Sequence, residues 1–317
     1  MSFTIDRYKT NDLSLLRLQD NATGAMVAIL PAYGTLLHAF EIPLAGQRFN
    51  VIDNYASKEE AEQEITSSYK SARLSPFVCR IDGGKYRFED HEFEFGRKFM
   101  DGTAIHGLLA NRPFNLLQQF ADDQSASASF RYHYQREDAG YPFDYICEVR
   151  YTLHPNRVLQ VQTSLLNLED GSIPIADGWH PYFTLGGSIN DYELQFASHT
   201  MLEFNEHLIP TGQLLEEVSF WHPAQLKDRQ LDNCFLLEVQ EGAPCCQLRN
   251  PKNGLVLSIY TNAHYPYLQI YTPDHRKSIA IENLSGAPDC FNNGMGLTLL
   301  APRHTATFNV WYQLSVE

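Results

Sequence analysis

The sequence predicts an all-β fold, a large antiparallel β-sandwich with few short helices. Three observations carry that expectation. Side chains alternate in character at every second position in segment after segment, as with Phe308, Val310, Tyr312 and Leu314 against Asn309, Trp311 and Gln313. Pro- and Gly-containing clusters break these segments at strand-length intervals, and only one stretch carries helical signals. A doubly wound α/β fold is excluded, because it needs a crossover helix for every parallel strand pair and the chain has no such helices to offer.

Taken in order, residues 1–50 read as strand, turn and strand: apolar runs at 13–18, 25–30 and 36–42 are punctuated by Pro31-Ala32-Tyr33-Gly34 and Pro43-Leu44-Ala45-Gly46. Residues 57–67 are the helical exception. Ser57 supplies an N-cap hydroxyl and Glu60 completes a capping box ahead of a Glu-, Gln- and Ala-rich run. Short and polar, this helix is expected to be a surface excursion rather than a core element. From Lys85 the β pattern resumes, with Tyr86 and Phe88 set against Phe93 and Phe95 across Glu89-Asp90-His91 in a predicted aromatic hairpin. Further strands are expected at 130–134, 145–153, 158–168, 192–196, 255–261, 268–271 and 305–316. The nearest thing to a seam, 169–175, is too short to separate one core from another, so residues 1–317 are expected to form one domain.

Composition narrows the function. The chain has 317 residues and a formal net charge of −14, which disfavours nucleic acid and anionic membrane surfaces as partners, since both call for clustered Lys and Arg. It favours a neutral small ligand. Nineteen Phe, 17 Tyr and 3 Trp supply ample apolar area for a sizeable core. The six cysteines form no CxxC pair and read as free thiols, and the first residues show no signal-peptide pattern; both point to a cytoplasmic setting.

Five polar positions stand in otherwise apolar or turn-forming surroundings. Glu282 follows Ile279 and Ile281 and precedes the turn-rich Ser285-Gly286-Ala287-Pro288-Asp289, so it is expected at the end of a buried strand facing a loop that walls a pocket. Arg80, in Val78-Cys79-Arg80-Ile81, must find a carboxylate or face a cavity. His106 precedes Gly107, which permits close backbone approach. His180 sits in Trp179-His180-Pro181-Tyr182-Phe183, an aromatic platform around an imidazole suited to the C–H faces of a sugar ring. Asp232 lies in Leu231-Asp232-Asn233-Cys234-Phe235. His106, His180, Asp232 and Glu282 are acceptable metal-ligand types, but no HxH, HxxxH or HExxH spacing accompanies them, and neither a metal nor another cofactor is expected. A GxSxG elbow and a Gly-rich phosphate loop are both missing.

In order along the chain, these segments resemble the aldose 1-epimerase family, the galactose mutarotases and their relatives. The family's Asn-Arg-Ile element corresponds to Cys79-Arg80-Ile81, its His-Gly to His106-Gly107 and its second histidine with Tyr-Phe to His180-Pro181-Tyr182-Phe183. Its Asp corresponds to Asp232, its Gln-x-Tyr-Thr strand to Gln269-Ile270-Tyr271-Thr272, and its strand-end Glu to Glu282. The resemblance implies a galactose mutarotase-like supersandwich and interconversion of α and β anomers of an aldose, without cofactor. It also implies catalytic roles for Glu282 as base, His180 as acid and His106 beside them, with Arg80, Asp232 and Gln269 binding sugar hydroxyls. The chain departs from the pattern at Cys79, at Pro181 and in a short interval from Tyr271 to Glu282, which touch substrate choice more than the reaction.

Two alternatives stay open at this level. One is a non-catalytic sugar-binding or sensing protein on the same scaffold, which could dispense with Glu282 or a histidine. The other is a hexose 6-phosphate mutarotase, which calls for a second basic group near Arg80, with Arg112 and Lys98 as candidates. A polysaccharide-cleaving enzyme is a more distant third, because it needs a long groove or an added domain.

Overall fold

The structure, a computed structural model, describes residues 1–317. Antiparallel pairing accounts for every ladder between its strands, and the expected all-β sandwich is what forms. A nine-stranded sheet runs Asn115–Ala121, Ala126–Gln135, Asp144–His154, Val158–Asn167, Thr305–Val316, Leu255–Thr261, Cys246–Asn250, Glu193–Phe196 and Ala224–Gln225. An eight-stranded sheet packs over it, its main path running Pro210–Glu216, Thr200–Phe204, Asp232–Leu236, Tyr267–Tyr271, Ile279–Leu284, Gly178–His180 and Ala72–Leu74. The N-terminal strands Phe3–Thr10, Leu13–Asp20, Met26–Leu30, Leu36–Leu44 and Gln47–Asn50 form a five-stranded meander in sequence order.

The burial of each strand follows from how many of its faces are covered. Val158–Asn167, in the nine-stranded sheet, alternates without a break between buried and half-buried residues, because one face meets the core and the other meets water. Ile279–Leu284 is buried at every position, since the eight-stranded sheet is covered on both sides there. Trp179 reaches across from one sheet to Tyr312 and Tyr151 of the other, with ring centroids 5.2 and 6.4 Å away. One buried apolar cluster extends between the sheets from Phe3 to Leu314.

The aromatic hairpin forms as expected, with Lys85–Phe88 against His91–Glu94 and Tyr86 directly opposite Phe93. The helix is Lys58–Glu64; the Ser57 hydroxyl accepts from Glu60 N at 3.2 Å, while Glu60 Oε2 accepts from Ala56 N at 2.7 Å. It is more than a surface excursion. Ala61 and Ile65 are buried against Leu13, Leu15, Leu30 and Leu36 of the N-terminal sheet, so a polar-looking helix closes a small second core. Several strands gave no alternation to read. Pro210–Glu216 is an edge strand exposed at all but one position, and solvent places no demand on the pattern of its side chains.

All six cysteines are free and buried. No helix is long and apolar enough to cross a membrane.

Candidate active site

The eight-stranded sheet sets the site through register. Cys234 stands opposite Gln269, and Gln269 opposite Glu282, so these side chains share one face and form a row across three adjacent strands. Asp232, two residues before Cys234, joins the same face. On the next strand Trp179 pairs with Asn283, which brings His180 alongside Glu282. A two-stranded ribbon then leans over the row: Arg80 pairs with Ile105, and His106 N donates to Cys79 O at 2.8 Å. Residues scattered from 80 to 282 thereby line one cavity of about 490 Å³, and all six expected positions, Arg80, His106, His180, Asp232, Gln269 and Glu282, are among its walls.

At the floor, His180 Nε2 lies 3.3 Å from Glu282 Oε1, with both side chains buried. The His106 ring meets His180 edge-on, centroids 4.8 Å apart, and Tyr182 stacks flat on His180 at 4.9 Å with only 10° between planes. Glu282 Oε2, Gln269 Oε1 and the Nδ1 atoms of both histidines have no hydrogen-bond partner in the protein. Buried polar atoms are normally paired, so this concentration of free ones marks a surface built for a polar ligand. At the wall, Gln269 Nε2 donates to Asp232 Oδ1 at 2.7 Å, and Arg80 Nη1 donates to Asp101 Oδ2 at 2.9 Å and to Thr103 Oγ1 at 3.2 Å. The expectation for Arg80 holds in both forms, carboxylate partner and cavity.

Burial sets the electrostatics. It pushes the Glu282 carboxyl well above the usual carboxylate range, and the nearby Asp232 charge pushes the same way. It lowers His180 to about 3 and takes His106 well below the ordinary histidine value, helped there by His180, Arg80 and Arg97. Asp232 is raised by burial, with Arg80 and Gln269 opposing the rise. His180 and Glu282 are in contact, and with the one lowered and the other raised they hold one proton between them around neutrality.

Backbone geometry at the site is costly. Cys79 and His106 both adopt left-handed conformations, with φ of 47° and 57°, where residues other than Gly are uncommon. Gly107 at φ 71° is required outright, because a Cβ there would lie 2.3 Å from Ser75 O.

Three expectations need correction. Glu282 is not at a strand end: Ile279–Leu284 runs two residues further, because Asn283 and Leu284 continue the ladders to the neighbouring strands. The 285–289 turn does not wall the pocket. Only Pro288 lines it, whereas Asp289 N donates to Arg80 O at 2.7 Å and Asp289 Oδ1 accepts from Asp82 N at 3.0 Å, bracing the arginine from behind. Of the three aromatic residues expected to form a platform around His180, only Tyr182 faces the cavity. Strand alternation sends Tyr182 to the cavity but Trp179 and Phe183 into the core, where both pack on Tyr312.

Sequence reading missed Tyr69, which lines the cavity and packs edge-on against His106 at 4.6 Å while Arg97 Nη2 donates to its hydroxyl at 2.6 Å. It follows the helix in a turn with no local motif. Phe204 and Leu208 also reach the cavity, from the hairpin that precedes Asp232. The basic residues Arg112 and Lys98 do not reach it; Arg112 pairs with Glu137 at 2.7 Å and Lys98 with Glu94. Lys70 does line it, held 3.0 Å from Asp53.

His106, His180 and Glu282 are the one group with metal-ligand potential, their ligand atoms within 4.8 Å of one another. Two ligands on opposite sides of zinc stand only ~4.2 Å apart at ~2.1 Å bond lengths, so the trio is loose for such an ion. Its chemistry as it stands is that of a proton donor beside a proton acceptor.

Comparison with known proteins agrees. The family model described as aldose 1-epimerase matches residues 15–313. Galactose mutarotase from Homo sapiens is 24% identical over 261 residues, covering 76% of this chain and 72% of that protein. An uncharacterised Escherichia coli protein, YihR, is 26% identical over 260 residues, covering 79% and 82% respectively. Among solved structures, a galactose mutarotase-like protein from Clostridium acetobutylicum superposes with a TM-score of 0.88 at 16% identity, over 100% of this chain and 99% of that one.

Proposed function

The chain belongs to the aldose 1-epimerase family, and on that footing we propose that it interconverts the α and β anomers of a free aldose by acid–base ring opening and closure at the His180–Glu282 pair. It is an enzyme of the aldose 1-epimerase type. The observation that carries the reading is the contact of 3.3 Å between a buried imidazole and a buried carboxylate in a cavity whose walls mix apolar residues with the polar Arg80, Asp232 and Gln269.

Mutarotation needs one proton removed from the C1 hydroxyl and one delivered to the ring oxygen; the aldehyde carbon then rotates and the ring closes on its other face. Burial favours the arrangement with the proton on Glu282, so ring opening starts once that proton has crossed the 3.3 Å contact to His180. Glu282 then takes the C1 hydroxyl proton and His180 gives its proton to the ring oxygen, which leaves Glu282 protonated and His180 neutral. Ring closure reverses this. The pair therefore alternates between two arrangements of a single proton, and burial, which disfavours an isolated charge on either, supports holding that one proton. His106 faces the same reacting region. Asp232, Gln269 and Arg80 offer acceptors and donors for the remaining hydroxyls, where the wrong epimer would leave a buried polar group unpaired. Support for treating the chain as one working domain comes from the single cluster joining both large sheets.

Every member of the acid–base set is present, which favours an enzyme over a sensing protein. Arg112 and Lys98 lie outside the cavity, and the two basic residues that line it, Arg80 and Lys70, are each paired with a carboxylate, Asp101 and Asp53, which favours a free aldose over a phosphorylated one. Polarimetry over a panel of free and phosphorylated aldoses tests the proposal: rate enhancement on at least one free aldose is expected. Binding without rate enhancement throughout the panel would instead establish a sensor.

A further inference from the structure

We propose that Arg73 and Asp177, on the opposite face of the sheet from the cavity, are positioning residues for His180 and Glu282, an inference that rests on the mutarotase reading of that pair. Arg73, Trp179 and Asn283 form a second row across the same strands, pointing into the core instead of the cavity. Arg73 and Asp177 are essentially inaccessible, with side chains 1% and 0% exposed and Arg73 Nη1 3.7 Å from Asp177 Oδ2. Tyr265 OH donates to the same Asp177 oxygen at 2.5 Å, and the Arg73 guanidinium lies 5.8 Å from the Trp179 ring centre.

The tie to the site runs through the backbone. Asp177 lies just before the strand that ends in His180, and Ser285 just after the strand that contains Glu282. These two residues are joined twice: Ser285 N donates to Asp177 O, and Asp177 N donates to Ser285 Oγ, both at 2.8 Å. Arg73 Nη1 reaches Gly178 O at 3.4 Å. On the other flank Trp179 Nε1 donates to Ser71 O at 3.0 Å, and Ser71 N donates to His180 O at 2.9 Å. The strand bearing the imidazole is only Gly178–His180, too short for its own ladder to fix its tilt. The buried ion pair grips it from below.

Stability alone is a poor reason to place two charges here, since a buried ion pair is often no more stable than apolar residues of the same size. Geometry is a better one. A shift of ~1 Å between reacting groups can cost ~10²-fold in rate, and the proton pair at 3.3 Å has little slack.

The test replaces both charges at once in the full chain, Arg73→Met with Asp177→Leu, and follows melting temperature, kcat and KM on an aldose that the wild type anomerises. A positioning role predicts kcat lower by about 10- to 100-fold while KM stays within about 3-fold and the fold stays intact. Wild-type kcat in the folded double variant overturns the proposal. Should that variant not fold, Arg73→Lys decides, because it keeps the charge but not the planar donor set: kcat reduced at unchanged KM supports positioning, and unchanged kcat overturns it. A wild type inactive on every aldose defeats the mutarotase reading separately. The positioning claim is then read from the His180 imidazole NMR signals, which must move in the variant; signals that stay put overturn it.

Discussion

Glu282 and Asp177 are carboxylates on adjoining segments of one sheet, both buried, and their surroundings differ in kind. Glu282 faces the cavity, its sole polar contact an imidazole at 3.3 Å and its second oxygen unpartnered. Asp177 faces the core, with a guanidinium and a tyrosine hydroxyl directed at it. Burial raises both. Arg73 and Tyr265 hold the rise of Asp177 to about 6, whereas for Glu282 the nearest further charge, Asp232, adds to it. On the core face Asp177 has a cation and a hydroxyl directed at it, although its Oδ1 and Arg73 Nε and Nη2 stay unpartnered; on the cavity face Glu282 has no fixed cation beside it, and its free oxygen lies at the cavity. The lesson is that a buried carboxylate does not identify a site by itself, and the want of a compensating cation does.

The comparison can be broken at either end. Glu282→Gln should have the largest effect, lowering the anomerisation rate by about 10²- to 10⁴-fold with little change in melting temperature; wild-type rates in this variant would remove Glu282 from the mechanism. Arg73→Met alone should act on the other property, stability. It strands a buried Asp177 and should cost about 3–5 kcal/mol in denaturant unfolding, against a small effect if the pair is dispensable.

A pH series separates the two faces more finely. The folded-state value of Asp177 lies near 6, above the ordinary 3.8, so the folded protein holds this proton more tightly than the unfolded chain. The resulting stabilisation is fully present below the ordinary value and is lost as pH rises through about 6. Wild type should therefore lose up to about 3 kcal/mol relative to Asp177→Asn between pH 4 and 7; parallel stability curves would show that Asp177 does not titrate in that window. The smallest effect is expected from Cys79→Asn. Asn tolerates the left-handed conformation at φ 47° better than most residues, so stability should hold or rise by a few tenths of a kcal/mol. The added amide beside Arg80 should change KM for aldoses by a few-fold, and an unchanged KM across the sugar panel would place position 79 outside the substrate's reach.

Much of the fold was legible in the sequence because strands with one covered face must alternate. Val158–Asn167 and Thr305–Val316 were readable from the pattern alone, and the Ser57 cap located the start of the helix to within a residue, although the helix ends at Glu64 and not at 67. Where that constraint lapses the reading failed, at the exposed edge strand Pro210–Glu216 and past Glu282, where full burial on both faces erased the alternation. For the site, motif order brought forward the six polar residues, but their chemical types could not rank them. The chain contains a shorter imidazole–carboxylate contact, His199 Nδ1 to Glu238 Oε1 at 2.5 Å, on an open surface where water competes for both groups. The sequence by itself determined an all-β chain with a free-thiol core, and the residue types that proton transfer to a sugar requires. Only the tertiary structure decided that His180 and Glu282 face one cavity, buried at its floor, while Arg73 and Asp177 face the core behind them. That choice depends on strand register, and a slip of one residue would exchange the two faces.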